Sequence, residues 1–368
     1  MTVHIDYQEE HDLLRDAARR WLAENSAITE VRKLAADEHG DTSNMWAGLA
    51  EMGWLGMLMP EEFEGSELGA THLAVLMEES GRRLLPAPLL PTMLASLLIA
   101  QAGTDVQRKQ WLPGIASGQY QASIAHVGED GRWQFGQTQT MLENGALNGS
   151  MHQVWGAATA NLLIVPFLNG GQTQLALIPT NTTGINIEAE IGLDPSRRQG
   201  RVSLTNVELA GEMIMTESAA HAFKKLLPWA CLTLSAEMAG GIDALLTMTA
   251  EYATTREQFD KQIGSFQAIK HPLVNVLIEL EKTRSLVYAA AAALDSGHED
   301  AEKLARMAKA QASDTYPFAA SRAIQFHGGF GFTEECDAHL YMRRAQCTRP
   351  AFGDATHHRT WLGENLRG

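Results

Sequence analysis

The sequence predicts an α+β protein in which a small β domain, a barrel or sandwich, lies between two helical regions. Apolar residues recur at helical spacing in residues 1–118 and again in residues 217–368. Between them, residues 119–216 change to short apolar or alternating runs, and Asn144-Gly145 and Asn169-Gly170 are dipeptides typical of hairpin turns. We therefore expect an N-terminal helical domain, a middle β domain and a C-terminal bundle of four helices, with those boundaries.

The individual elements of the first two regions follow from their apolar patterns. An amphipathic helix is predicted around residues 13–22, a second helix over 71–79 and a buried helix over 89–100. In the middle region, the apolar run 161–167 and the alternating run 202–209 are typical of strands. Several short strands at regular spacing indicate a barrel or sandwich.

The C-terminal region contains long helical patterns broken at identifiable residues. One helix is expected to begin with either Ser265 or His271 as its cap, because Pro272 suits a first turn but kinks a helix that starts earlier. An alanine-rich helix is predicted over residues 301–326, and a last helix from about His357. These helices complete the predicted bundle.

Composition limits the classes of partner and compartment. The chain has 368 residues, 45% of them hydrophobic, and a formal net charge of −15, which argues against nucleic acid or an anionic membrane surface as main partner. Its 3 cysteines, Cys231, Cys336 and Cys347, have no metal-ligand spacing and are typical of reduced thiols. The apolar stretch 89–100 is too short to span a bilayer. We expect a cytoplasmic protein.

Two glycine-containing stretches near the C-terminal end are the strongest chemical signals. Residues 256–267 begin Arg-Glu-Gln-Phe-Asp-Lys, and residues 325–335 begin Gln-Phe-His-Gly-Gly. Both follow long helical patterns, where a helix end frees backbone groups and glycine lets a ligand approach the main chain. An arginine at such a place, Arg256, is a suitable partner for a phosphate. Either stretch alone is equally well explained as a helix C-cap.

Together, the two stretches resemble the flavin-binding signature of the acyl-CoA dehydrogenase family. The order of helices, β domain and helices resembles that family along essentially the whole chain, with further support from Gly-Trp-Leu-Gly at 53–56 and Ala-Asn-Leu-Leu-Ile-Val at 160–165. The resemblance implies an oxidoreductase that uses FAD to remove two hydrogens from the α and β carbons of an acyl-CoA thioester. In the family a carboxylate removes the α proton, and the β hydride goes to flavin N5.

The resemblance also implies which residues contact the cofactor. In the family, both stretches reach the pyrophosphate and adenine of an FAD that is held mainly by a neighbouring subunit. Carried over to this sequence, the cofactor-binding residues are Arg256, Gln258, Phe259, Gln325, Gly328 and Gly329.

The family's proton acceptor is missing from this sequence. The usual glutamate position falls on Phe352, and the alternative position, on the helix before the arginine stretch, falls near Ala230. Neither side chain can accept a proton. Asp354 is the one candidate beside Phe352, although an aspartate just before Ala355 is also typical of a loop or a helix cap. We therefore expect no catalytic residue in this chain.

The family residues that hold a subunit's own flavin are also replaced. Where the family has threonine-glutamate followed by glycine-serine, residues 125–132 read Ala-His-Val-Gly-Glu-Asp-Gly-Arg. Where the family has tryptophan-isoleucine and a hydroxyl residue, residues 153–158 read Gln-Val-Trp-Gly-Ala-Ala. Trp155 is open to two interpretations: it covers a ring, or it fills a core or hairpin position.

The retained residues serve a partner's cofactor and the replaced ones serve the chain's own. This pattern resembles the non-catalytic subunit of the α2β2 acyl-CoA dehydrogenases of bacterial steroid side-chain breakdown. The partners it implies are a catalytic sister subunit, an acyl-CoA substrate and electron-transfer flavoprotein as electron acceptor. Two alternatives stay open: a self-sufficient dehydrogenase with Asp354 as base, and a non-redox structural or acyl-CoA-binding relative.

Several histidines are candidate metal ligands by residue type. Neighbours on a helix point to different faces, so an adjacent pair does not chelate easily. We expect hydrogen-bonded or surface histidines and no metal site. The histidines considered are His126, His152, His271, His327, His357 and His358.

Overall fold

The computed structural model describes residues 7–37 and 40–365, so residues 1 and 368, the outer limits of the first and last predicted domains, lie outside it. In this part of the chain, helices come first, then a β-sheet, then long helices, which confirms the predicted α+β class. The helices are α1 (Glu9–Asn25), α2 (Ile28–Ala36), α3 (Ser43–Glu51), α4 (Ala70–Arg82), α5 (Leu89–Ala102), α6 (Asp105–Ala116), α7 (Ala219–Thr255), α8 (Gln267–Asp295), α9 (Ala301–His327), α10 (Ala338–Thr348) and α11 (Ala355–Asn365). The strands are β1 (Ala122–Ile124), β2 (Met141–Glu143), β3 (Ala146–Trp155), β4 (Leu162–Asn169), β5 (Gln172–Pro179), β6 (Ile185–Glu190), β7 (Gln199–Glu208), β8 (Glu257–Gln258) and β9 (Lys261–Gln262).

Among the described residues, the first compact unit comprises residues 7–33, Gly69–Leu85 and residues 230–365. It contains α1, α4, α8 to α11, most of α2 and the larger part of α7. Its apolar core is built on alanine and branched side chains of the long helices, such as Ile242 and Ala320. The N-terminal helices are thus divided between two units, and the three domain boundaries given above stay a prediction.

Helices α4 and α7 cross at very short range in this unit. A β carbon on Gly240 would overlap the carbonyl oxygen of Glu78, and one on Gly81 would overlap that of Glu237. Beside this crossing, the buried guanidinium of Arg344 donates to the Glu237 carboxylate at 2.9 Å. Glycine is required at both positions because only a residue without a side chain allows the two backbones to approach so closely.

A buried ion-pair network joins α1, α4 and α8. The carboxylates of Glu78 and Glu79 lie on α4 and are both buried. Arg15 of α1 donates to Glu79 at 3.0 Å, and Arg284 of α8 donates to Glu78 at 2.8 Å. The Tyr288 hydroxyl also donates to Glu78, at 2.8 Å, and burial followed by that carboxylate raises the pKa of the phenol. Buried carboxylates require such partners, since an unpaired buried charge is strongly destabilising.

The second compact unit comprises Leu34–Leu68 and Pro86–Trp229. Its sheet has the strand order β1-β4-β2-β3-β7-β6, with β5 paired to β4. Strand β1 runs parallel to β4, whereas β3, β7 and β6 form an antiparallel set. The first six residues of β4 are all buried, which explains the continuous apolar run in its sequence. Buried core residues of the sheet include Leu147, Val165, Phe167, Ile178 and Val202.

Helix α8 begins at neither predicted cap. Its N-cap is Phe266, so Ser265 precedes the cap and His271 lies inside the helix, which makes both predictions wrong. Pro272 lies in the second turn, where its missing N–H removes one hydrogen bond, to the carbonyl of Ala268. Among the described residues, no helix combines the length and the apolar character needed to cross a membrane.

Candidate functional site

The first signature stretch forms a β-hairpin of its own. Helix α7 ends at Thr255, and β8 and β9 then pair antiparallel. The two turn residues, Phe259 and Asp260, have φ values of 55° and 58°. A two-residue hairpin turn of type I′ has positive φ at both positions, which is uncommon for residues other than glycine. The turn leaves the Phe259 ring 86% exposed at the tip.

The hairpin presents polar side chains on a fixed backbone. The N–H of Arg256 donates to the Tyr252 carbonyl, and its carbonyl accepts from the N–H of Ile263, both at 2.9 Å. The side chains of Arg256 and Gln258 are exposed, and the Gln258 amide donates to the Glu257 carbonyl at 2.8 Å. The exposed guanidinium on this backbone can donate to phosphate oxygens that approach from outside the chain.

The second signature stretch ends α9 with open backbone. Gly328, with a φ of 62°, follows His327, and its N–H donates to the Gln325 carbonyl. A β carbon built on Gly328 or Gly329 meets nothing within 4 Å, whereas one on Gly331 would overlap a backbone carbonyl. Gly331 is therefore needed for packing, while Gly328 and Gly329 leave the main chain accessible to a ligand.

An aromatic stack brings the two stretches together. The ring of Tyr252, in the last turn of α7, stacks on His327 with centroids 4.4 Å apart and lies 6.2 Å from Phe330. Nδ1 of His327 lies 2.7 Å from the Ala323 carbonyl oxygen, so this nitrogen carries a proton. The stack fixes the end of α7 against the end of α9. Sequence reasoning missed Tyr252, whose only signal is an aromatic ring one turn before Arg256.

The residue predicted to occupy the family's base position, Phe352, lies in the turn between α10 and α11. Phe352 is 5% exposed and has a φ of 52°. Gly353 has a φ of 98°, its N–H donates to the Pro350 carbonyl, and a β carbon there would come 2.6 Å from the His357 ring. The alternative base position, Ala230, is fully buried on α7. Both positions therefore carry apolar side chains that the fold encloses.

The buried side chain of Lys309 holds the same turn between α10 and α11. The ammonium of Lys309 donates to the Ser313 hydroxyl and to the carbonyls of Arg349 and Gly353, each at 2.9 Å. These two carbonyls lie on either side of Phe352 in the chain. Burial lowers the pKa of Lys309 to about 8, although the charge of Asp354 opposes this effect. The three donors of the ammonium thus fix the turn through its backbone.

Asp354 serves as a cap of α11 in this arrangement. One carboxylate oxygen accepts from the N–H of His357 at 2.8 Å, and its carbonyl accepts from the N–H of His358 at 3.1 Å. A carboxylate that binds helix N–H groups is stabilised where it is. This geometry favours the cap interpretation of Asp354 over the base interpretation.

A buried polar cluster beside the turn is structural in character. Nδ1 of His358 lies 3.4 Å from the Arg306 guanidinium, which can only donate, so the proton of the neutral ring is on Nε2, 3.8 Å from Cys231 Sγ. Burial, followed by the positive charges of Lys309 and Arg306, lowers the pKa of His358 to about 3. Burial raises the pKa of Cys231 to about 12. Neither group exchanges protons near neutral pH.

In the second unit, the two segments predicted to replace the family's own-flavin residues are held by internal contacts. The loop in residues 125–132 closes through Asp130, which accepts from the backbone N–H of Arg132 at 3.0 Å. Gln153 interrupts the regular pairing of β3 with a φ of 53°, and its N–H donates to Glu190 at 2.7 Å. The same carboxylate lies 2.6 Å from His152 Nδ1. The backbone donor at Gln153 is therefore already paired within the chain.

Trp155 follows in β3 and has a partner for its ring. The guanidinium of Arg197 lies over this ring at 4.7 Å from the centroid, within the range of a cation–π contact. On that side, the face of the Trp155 ring is thus covered by the chain itself. His126, in the neighbouring segment, lies 3.1 Å from the Ile124 carbonyl oxygen, and loss of hydration lowers its pKa to about 4.

Comparison with known proteins places these features in a family. The acyl-CoA dehydrogenase N-terminal domain matches residues 8–119, and the acyl-CoA dehydrogenase C-terminal domain matches residues 220–366. The chain is 31% identical over 361 residues to acyl-CoA dehydrogenase fadE12 of Mycobacterium bovis, covering 93% of this chain and 92% of that protein. It is 29% identical over 340 residues to acyl-CoA dehydrogenase IpdE2 of Mycobacterium tuberculosis, covering 92% and 91%.

Solved structures agree with this assignment. The Tcur3481-Tcur3483 steroid ACAD is 28% identical, with a TM-score of 0.88 and coverage of 98% of both chains. The ChsE4-ChsE5 complex from Mycobacterium tuberculosis shares the fold, with a TM-score of 0.90 at 23% identity and coverage of 99% of both chains. These matches confirm the predicted enzyme class, an oxidoreductase with FAD as cofactor, and the chain belongs to the acyl-CoA dehydrogenase family.

Proposed function

We propose that this chain is the non-catalytic subunit of an α2β2 acyl-CoA dehydrogenase. In this proposal it supplies contacts to an FAD that is held mainly by a catalytic sister subunit, and the sister subunit supplies the carboxylate that removes the α proton. The substrate is an acyl-CoA thioester, with a steroid side chain as the proposed acyl group, and electron-transfer flavoprotein accepts the electrons.

One observation carries the proposal: the base position holds the buried ring of Phe352 in a turn that the fold fixes. Removal of an α proton needs a proton acceptor beside the thioester. A phenyl ring has none, and the Asp354 carboxylate already binds the first turn of α11. A self-sufficient dehydrogenase would have to break this cap to use Asp354, which disfavours that alternative.

The proposed cofactor contacts follow from the exposed ends of α7 and α9. Arg256 donates to the pyrophosphate, while Gln258 and Phe259 line it. Gln325 lies at the adenosine end, where the open backbone of Gly328 and Gly329 admits close approach of the nucleotide, as the free space around both glycines supports.

Exposed apolar side chains support a partner at this surface. Phe259, Phe330 and Phe332 are exposed on the two signature stretches. On α8, Val274, Leu277 and Ile278 are exposed at i, i+3 and i+4 spacing, which places them on one helix face. Contiguous exposed apolar residues are typical of interaction sites. We assign this surface to the sister subunit, in line with the two-part name of the related Tcur3481-Tcur3483 steroid ACAD.

Co-expression with the candidate sister chain tests the proposal directly. The purified complex should be yellow, with a flavin absorption band and one FAD for each pair of unlike chains. The chain purified alone should hold little flavin and should not oxidise acyl-CoA thioesters. Stoichiometric FAD together with turnover by the chain alone would refute the two-chain proposal and would favour the self-sufficient alternative.

An arginine substitution separates the proposal from a non-redox role. Arg256→Ala removes a charge-assisted hydrogen bond worth about 1.5–3 kcal/mol, so FAD affinity of the complex should fall by about 10- to 100-fold. Arg359→Ala is the matched control, because Arg359 is also exposed but pairs with Asp314 at 2.6 Å on another part of the unit. Equal flavin content in both variants would favour the structural or acyl-CoA-binding alternative.

A further inference from the structure

Three side chains with metal-binding atoms meet where α1 lies beside α4. Glu10 and His11 come from α1, and His72 comes from the first turn of α4. One ligand atom of each residue lies within 4.8 Å of the other two. The imidazole rings of His11 and His72 are 4.2 Å apart between centroids. We propose that Glu10, His11 and His72 form a site for a divalent transition-metal ion, with Zn²⁺ as the best fit.

The spacing of these atoms suits the ion. Zn²⁺ prefers four ligands in a tetrahedron, with bonds of about 2.0–2.2 Å, so neighbouring ligand atoms lie about 3.3–3.6 Å apart. Nε2 of His72 is 3.5 Å from Oε1 of Glu10, which already equals one edge of such a tetrahedron. Two imidazoles and a carboxylate are a ligand set that zinc accepts. Rotation of exposed Glu10 can adjust the distances from its carboxylate to the two histidines.

The backbone on the α4 side of the site is rigid. The Asp295 carboxylate accepts from the N–H of Ala70, and from the N–H and hydroxyl of Thr71 at 3.0 and 2.7 Å. These bonds hold the first turn of α4, which also contains His72. Zinc ligands need such support because their orientation determines the affinity of the site.

The hydrogen bond that His11 accepts determines which of its ring nitrogens carries the proton. Nδ1 of His11 accepts from the backbone N–H of Gln8 at 3.0 Å, which leaves the proton on Nε2. Binding of the ion through Nε2 requires the proton to move to Nδ1, so the hydrogen bond from the Gln8 N–H is given up.

A bound ion would link α1 to α4. Glu10 is exposed, so the fourth coordination position opens to solvent and takes water. The pattern was not recognisable from the sequence because His72 lies 61 residues after His11, far outside the ligand spacings of compact zinc motifs.

Titration of the full chain with zinc tests this site. The untagged chain, freed of metal with a chelator, is titrated with ZnCl₂ by isothermal calorimetry, and its thermal unfolding is followed with and without zinc. We expect a single saturable site and a zinc-dependent rise of the unfolding midpoint. His72→Gln should weaken the affinity by at least about tenfold, and Glu10→Gln should weaken it less.

A histidine elsewhere provides the control. His221 lies 3.5 Å from Glu217 in the same kind of pair, but the pair belongs to no group of three ligands among the described residues. His221→Ala should leave zinc affinity unchanged. Absence of saturable binding, or equal affinity in wild type, His72→Gln and Glu10→Gln, would overturn the proposal. Exposed Glu10 can be changed without loss of the fold, so Glu10→Gln decides the outcome if His72→Gln does not fold.

Discussion

Replacing Lys309 by methionine should remove a specific pH dependence of stability. In the folded chain the Lys309 ammonium is fully buried, and burial lowers its pKa from 10.5 to about 8. In the unfolded chain the lysine keeps its ordinary pKa. Between pH 8 and 10.5, therefore, the unfolded state binds more protons than the folded state, and the free energy of unfolding rises with pH.

The size of the effect follows from the two pKa values. One pKa unit corresponds to about 1.4 kcal/mol, so the drop from 10.5 to about 8 amounts to about 3 kcal/mol over the whole titration. More than half of this change in the free energy of unfolding falls between pH 7.5 and 9.5, where it should amount to about 2 kcal/mol. Below pH 8 the lysine is charged in both states, and the cost of burying the charge is fully present.

Urea unfolding of the wild type and Lys309→Met at pH 7.5, 8.5 and 9.5 measures this contribution. Other groups titrate in both proteins, so the difference between their unfolding free energies isolates Lys309. The wild type should gain about 2 kcal/mol relative to the variant from pH 7.5 to 9.5. A difference that stays constant with pH would show that the ammonium is not held in the dry environment described here.

Two further substitutions test packing and the aromatic stack. Gly240→Ala should lower the free energy of unfolding by about 1–3 kcal/mol, because the added methyl group meets the carbonyl of Glu78. Gly363→Ala, at a position with free space around it, is the control and should be neutral or slightly stabilising. Equal effects of the two substitutions in urea unfolding would contradict the close crossing of α4 and α7. Tyr252→Ala removes the stack on His327 and should reduce flavin content of the co-expressed complex without abolishing its assembly, as measured by absorbance and gel filtration.

The fold class and family could be predicted because their signals are local. Apolar periodicity indicated the helices α4, α5 and α9, and the two glycine-containing stretches indicated where α7 and α9 end. The start of α8 was predicted wrongly because the proline rule concerns one residue in isolation. In the folded chain, the packing of a helix of 29 residues outweighs the single hydrogen bond lost at Pro272.

The surroundings of the candidate site could not be predicted, because they depend on contacts between distant residues. Lys309 lies in a helix of alanine and charged residues, where a lysine is usually exposed. Its burial becomes visible only when the carbonyls of Arg349 and Gly353, about forty residues later, reach the ammonium. Glu78 is similar: it shares a buried network with Arg15 and Arg284, which the sequence separates widely.

The hydrogen bonds of Lys309 fix the backbone around position 352 and do not involve the side chain at that position. The ammonium donates to main-chain oxygens on both sides of Phe352, so these two contacts do not require a particular side chain at position 352. Under the proposed function, a single replacement at position 352 separates a catalytic chain from a non-catalytic one, while the contacts of Lys309 with the backbone can be the same in both.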